Sequence, residues 1–119
     1  MQDTQLALSV RQPFAEKIAS GKKRVEYRSW PTKHRGPLLI CASAQVHESV
    51  KDEGGKALRD ALALPMGCMV CIVDVVDCVW DEIEEVWEWK LKNPRRVRPE
   101  PVKGCASFYR VPKARVRLA

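Results

Sequence analysis

The sequence predicts an α+β fold: a small β-barrel of about five or six strands, with two or three helices at its rim. Three observations lead there. The 119 residues suit one domain, and a 45% hydrophobic fraction supplies a core. The apolar runs are short and mostly strand-like, and the connections between them are too brief for a regular parallel α/β array.

The elements follow in order. Leu6–Val10 is a short apolar run that reads as a buried strand. Pro13 suits a first helical position, and Phe14, Ala15, Ile18 and Ala19 form a stripe closed by Gly21 as the C-terminal cap. From Lys23 to Trp30 the pattern alternates, placing Val25 and Tyr27 on one face and Arg24, Glu26, Arg28 and Trp30 on the other. Pro37–Ser43 is apolar on both faces, as in a central strand. Residues 48–62 read as a helix made irregular by Gly54 and Gly55. Gly67–Trp80 is the longest β-rich run, Asp81–Val86 fits one or two helical turns, and Trp87–Leu91 alternates again. Pro94, Pro99 and Pro101 make Asn93–Lys103 a basic arm, excluded from regular helix and central strand. Cys105–Val111 closes the sheet, and residues 112–119 form a basic tail whose order is open.

Charge is segregated along the chain. Residues 11–35 hold eight Lys or Arg against two acids, and residues 93–119 eight against one, whereas residues 36–92 hold five against eleven. Two basic segments flanking an acidic one suit a face that meets phosphates; the competing reading is a solubilising surface. Five cysteines inside mostly apolar stretches fit free thiols and a reducing, cytoplasmic setting. Cys68 and Cys71 have C-x-x-C spacing, but strand alternation sends them to opposite faces, so no metal and no cofactor are expected. No apolar run is long enough for a bilayer, so no membrane partner is expected.

Gly21-Lys22-Lys23-Arg24-Val25-Glu26-Tyr27-Arg28 matches the G-x-K-x-x-E-x-R motif of the ASCH family. The flanks agree: Leu8–Ala15 resembles the family's opening strand and helix, Ser29-Trp30 with His34–Ile40 resembles its coactivator branch, and Asn93-Pro94-Arg95-Arg96 has parallels near the last strands. The resemblance covers most of the chain. It implies a PUA-like barrel, with the motif gathered in a cleft between barrel and first helix, and recognition of nucleic acid or a nucleotide. Some relatives are ribonucleases and one branch hydrolyses acetylcytidine; Glu26 stands where that branch carries a threonine, so its hydroxyl nucleophile is absent here.

The motif residues suit binding more than general-acid chemistry. Lys23 and Arg28 would neutralise a phosphate while Glu26 accepts from a base amino group or holds a lysine amine. Strict alternation puts Lys23 on the wrong face, so the clustered site requires a bend after Gly21. The competing reading is a salt-bridge network closing the barrel. Arg11 and Gln12, at the strand–helix junction, are second-rank anion contacts or simple caps. His34, Arg35, Arg95 and Arg96 are candidate phosphate contacts; for His34 the competing readings are a surface residue and a general base in a nuclease. Trp30 is the expected stacking platform; of Trp30, Trp87 and Trp89 at least two are expected to be buried, and Tyr109 is a further aromatic candidate.

The leading reading is a module for RNA or single-stranded nucleic acid, or a nucleotide. The alternatives are a metal-independent hydrolase using Lys23 and Glu26 as catalytic pair, and a protein-interaction module whose basic arm docks an acidic partner.

Overall fold

The computed structural model describes residues 3–119. Six strands form one mixed sheet in the order β2-β5-β4-β3-β1-β6. The α+β class, six strands and three helices agree with the sequence, but the sheet is open: β2 and β6 are its edges, and no pairing among the described residues closes them into the expected barrel.

β1 (Thr4–Gln12) pairs parallel to β3 (Gly36–Val46), with Ala7 opposite Leu39 and Val10 opposite Ala42. β3 lies between β1 and β4 (Cys68–Asp81), and its side chains enter cores on both faces, as its unbroken apolar run predicts. Leu38, Ile40 and Ala42 join Leu8, Ile18, Val73 and Trp89 on one face; Leu39 and Cys41 join Met69 and Val111 on the other.

Helix α1 (Phe14–Ala19) buries Ala15, Ile18 and Ala19. Its end winds tightly: Ser20 N–H donates to Glu16 O, Gly21 N–H to Ile18 O and Lys23 N–H to Lys17 O. Gly21 takes φ +81°, a left-handed conformation open to glycine, and so turns the chain into β2 (Val25–Arg28).

The predicted helix over 48–62 is divided into α2 (Glu48–Glu53) and α3 (Gly55–Leu62), because Gly54 and Gly55 both adopt positive φ. Three other expectations change. Residues 82–85 form the turn of a hairpin between β4 and β5 (Val86–Arg96), not a helix, with Asp81 Oδ1 accepting from Ile83 and Glu84 N–H. Asn93–Arg96, expected in an irregular arm, continue β5. Pro94 is tolerated because β2 pairs only with Trp87–Lys90, leaving that flank unpaired, and the register against β4 shifts around it while Asn93 takes φ +54°. The closing strand β6 is only Tyr109–Pro112; Cys105–Phe108 are loop.

The tail returns to the end of β5. After a 3₁₀ turn at Lys113–Arg115, Leu118 bridges to Val97 and Ala119 N–H donates to Arg96 O. No helix among the described residues is long and apolar enough to cross a membrane.

Candidate nucleic-acid-binding cleft

A cleft of about 1140 Å³ opens where the sheet, the first residue of α1, the start of α2 and the loop 102–106 meet. Its wall carries Ser9 and Arg11 of β1, Phe14 of α1, the motif residues Lys23, Glu26 and Arg28, and the loop around Lys103.

β2 presents Glu26 inward because Glu26 lies opposite Trp89, a fully buried residue, while Tyr27 lies opposite Glu88 and is exposed. The polar face of this strand is therefore the covered one. A buried carboxylate without partners would cost several kcal/mol, of order ~3–5 kcal/mol if one partner were removed. Here Glu26 Oε2 accepts from Arg28 Nε at 2.9 Å and lies 2.8 Å from Arg28 Nη2, which also donates to Ser9 O. Arg28 is thereby locked between β2 and β1.

Lys23 lies before the first β2 residue, in the bend after Gly21, and so escapes strict alternation. Its Nζ reaches 3.7 Å from Glu26 Oε1 and sits over the rings of Phe14 and Tyr27, at 5.1 and 4.7 Å from their centroids. Burial pushes the Lys23 amine below its ordinary range, partly offset by Glu26; Arg28 and Lys17 add to the lowering. The site thus offers one locked guanidinium, one caged amine of reduced basicity and one shared carboxylate.

The other predicted residues divide by place. Arg11 lines the cleft, 3.8 Å from Glu48. Gln12 is fully buried: its Nε2 donates to Pro65 O and its Oε1 accepts from Glu16 N–H, the capping arrangement. Trp30 lines the cleft half-buried, with its ring edge-on to Trp89 and Phe108. Of the three tryptophans only Trp89 is buried, correcting the expectation of two. Trp87 is half-buried away from the cleft because it lies in the projecting hairpin. Tyr109 is no exposed platform: its hydroxyl bonds Ser9 Oγ at 2.9 Å, and burial raises its ionisation well above the ordinary range.

The remaining four stand outside the cleft lining. A ring nitrogen of His34 bonds Pro37 O at 2.8 Å, and Arg35 donates to Thr32 O and His34 O. Arg95 pairs with Asp74 at 3.0 Å, and Arg96 holds both oxygens of Glu16 at 2.8 and 2.7 Å, pulling the Glu16 carboxyl below its usual range.

Sequence reasoning missed Phe14 as a cleft residue, Lys103 and His47. His47 lines the cleft; its Nδ1 accepts from Ser49 N–H to cap α2, and its ring meets Phe14 edge-on at 4.8 Å. A histidine ahead of Glu48-Ser49 carried a weak capping signal, but nothing local placed it beside Phe14. Gly104 marks the loop's close approach, since a Cβ there would overlap Ser9 Oγ. Cys41 and Cys71 lie in the two core layers, where burial raises their thiols to about 11 and about 12.

The comparisons agree with this architecture. The ASCH domain profile matches residues 8–109. Activating signal cointegrator 1 of Homo sapiens is 30% identical over 126 residues, covering 87% of this chain, and the Mus musculus protein is 29% identical over the same share. The chain spans 22% of the length of these relatives. The solved ASCH protein of Zymomonas mobilis superposes with a TM-score of 0.63 at 15% identity, over 95% of this chain and 91% of that one. A variant of the same protein gives a TM-score of 0.61 at 14% identity, over 90% and 89%. These structures share the α+β fold, and the profile covering most of the chain supplies the rest: the chain belongs to the ASCH domain family.

Proposed function

We propose that the chain is a binding module for RNA or single-stranded nucleic acid, whose cleft holds one nucleotide-sized group. The observation that carries this reading is the convergence of Lys23, Glu26 and Arg28 on one cleft wall, with aromatic rings from Phe14, Tyr27 and Trp30 beside them. Two cations suit a phosphate, the carboxylate accepts from an exocyclic amino group, and ring faces suit an unstacked base. The locked Arg28–Glu26 pair supports binding, because its orientation is set before a ligand arrives.

One observation favours a second reading, a metal-independent hydrolase. The Lys23 amine, less basic than usual and beside Glu26, is suited to proton transfer. A single experiment separates the two. Labelled single-stranded RNA, single-stranded DNA and duplex DNA are incubated with wild type and Lys23→Ala at two salt concentrations, with a chelator present. Binding without cleavage, preferring single strands and weakened by about 1.5–3 kcal/mol in the variant, the worth of a hydrogen bond to a charged group, is expected. Chelator-resistant cleavage abolished by the substitution would establish the hydrolase instead. Equal affinity of both proteins would remove Lys23 from the site.

A further inference from the structure

The β4–β5 hairpin extends beyond the rest of the sheet. β3 pairs with β4 only as far as Gly36 opposite Val75, so Val76–Asp81 have β5 on one side and no strand on the other. Cys78 N–H donates instead to the neighbouring Asp77 carboxylate at 2.8 Å. That side chain blunts the edge against strand addition, so an occupant must use side chains.

Those side chains have a distinct chemistry. Ile83 at the turn is 90% exposed, and Val79 and Trp80 are each 42% exposed. Trp80 lies opposite Trp87, with ring centroids 5.4 Å apart. Residues 76–88 also carry Asp77, Asp81, Glu82, Glu84, Glu85 and Glu88 without one Lys or Arg, on a chain of net charge +6. Glu82, Glu84 and Glu85 make no ion pair or side-chain hydrogen bond among the described residues. None of residues 76–88 lines the cleft.

We propose that this hairpin tip is a docking surface for an arginine-bearing, partly apolar peptide segment of a partner protein. Charge complementarity selects the occupant. Asp77 and Glu88 already face Arg35 and Lys90, at 3.8 and 3.1 Å, but Asp81, Glu82, Glu84 and Glu85 are left to repel phosphate and attract a cation; the Trp80–Trp87 pair presents indole surface over which guanidinium stacks, and Ile83 with Val79 meets an apolar side chain. Within a second copy of this chain, Arg95, Arg96 and Arg115 are already paired with Asp74, Glu16 and Glu100 and are not free to dock. The surface is independent of the cleft and of its ligand.

The test uses the full chain and a synthetic peptide of alternating arginine and leucine, with a matched glutamate–leucine peptide as control. Backbone amide shifts on titration are expected to be confined to residues 76–88 and to occur with the arginine peptide only. Two variants report separately: the triple substitution Glu82→Gln, Glu84→Gln, Glu85→Gln, which removes charge from unpartnered side chains, and Trp80→Ala with Ile83→Ser. Each is expected to weaken peptide binding about tenfold or more while leaving RNA binding unchanged. Absence of binding at millimolar peptide, shifts centred elsewhere, or unchanged affinity in the charge variant would overturn the proposal. Concentration-dependent self-association abolished by these substitutions would assign the surface to a second copy and overturn it equally.

Discussion

Lys23 is held where its charge is least well solvated, over two rings and beside a carboxylate already shared with Arg28. Because burial lowers its folded ionisation below the ordinary value of 10.5, the unfolded chain binds more protons in the interval between the two values. Stability therefore rises with pH through that interval and levels off above the unfolded value; below the folded value, the desolvated charge exerts its full penalty. Urea unfolding from neutral pH toward 10.5 should show this rise in wild type and not in Lys23→Met. Parallel pH profiles would mean that the amine is solvated in the folded chain. The same residue shows how far local reading reaches. The motif named Lys23, Glu26 and Arg28, and the need for a bend after Gly21 followed from strand period alone; of the two rings that cage the amine, Tyr27 comes from β2 itself, whereas Phe14 entered only with α1 packed against the sheet.

At the scale of elements, glycines decide where the chain changes direction. Gly54, with φ +65° and ψ −157°, occupies a region nearly confined to glycine, and an added Cβ would meet nothing within 4 Å. Gly54→Ala should thus cost about 1–3 kcal/mol from backbone strain alone, read by urea unfolding. A loss under about 0.5 kcal/mol would mean that α2 and α3 join without this conformation. The expected helical irregularity followed from propensity, whereas the helix at Asp81–Val86 did not form. Asp81 serves a turn as readily as a helix start, and the pairing of Trp80 with Trp87 favoured the hairpin. Prolines likewise misplaced the end of β5, since Pro94 is harmless on a flank without a neighbouring strand.

Over the whole molecule, segregation along the chain becomes segregation in space. Most of the acidic run is divided between α2–α3 and the hairpin, while the first and last basic segments meet at the cleft through Arg11, Lys23, Arg28 and Lys103, with Glu48 as the run's one carboxylate among the described lining residues. Not every arginine is available, however: Arg95 and Arg96 already hold carboxylates, whereas Lys103 is exposed at the rim with no ion pair among the described residues. In RNA titrations across a salt series, Lys103→Ala should reduce the slope of log affinity against log salt by about 1. Arg95→Ala should leave that slope unchanged. The opposite ranking would place the nucleic-acid path along the end of β5 instead of the cleft.

The sequence by itself determined the α+β class, the two-sided core of β3, the family and the motif, because these depend on period, propensity and residues adjacent along the chain. Tertiary structure alone decided that the sheet stays open, that Glu26 faces inward against the row of Trp89, that Gln12 is a cap and that Arg95 and Arg96 are paired. Each depends on which distant segment lies opposite: Glu26 meets β5 some sixty residues away, and Glu16 meets Arg96 eighty residues away. Local pattern specifies which face of a strand is apolar; only the neighbour across the sheet specifies which face is covered.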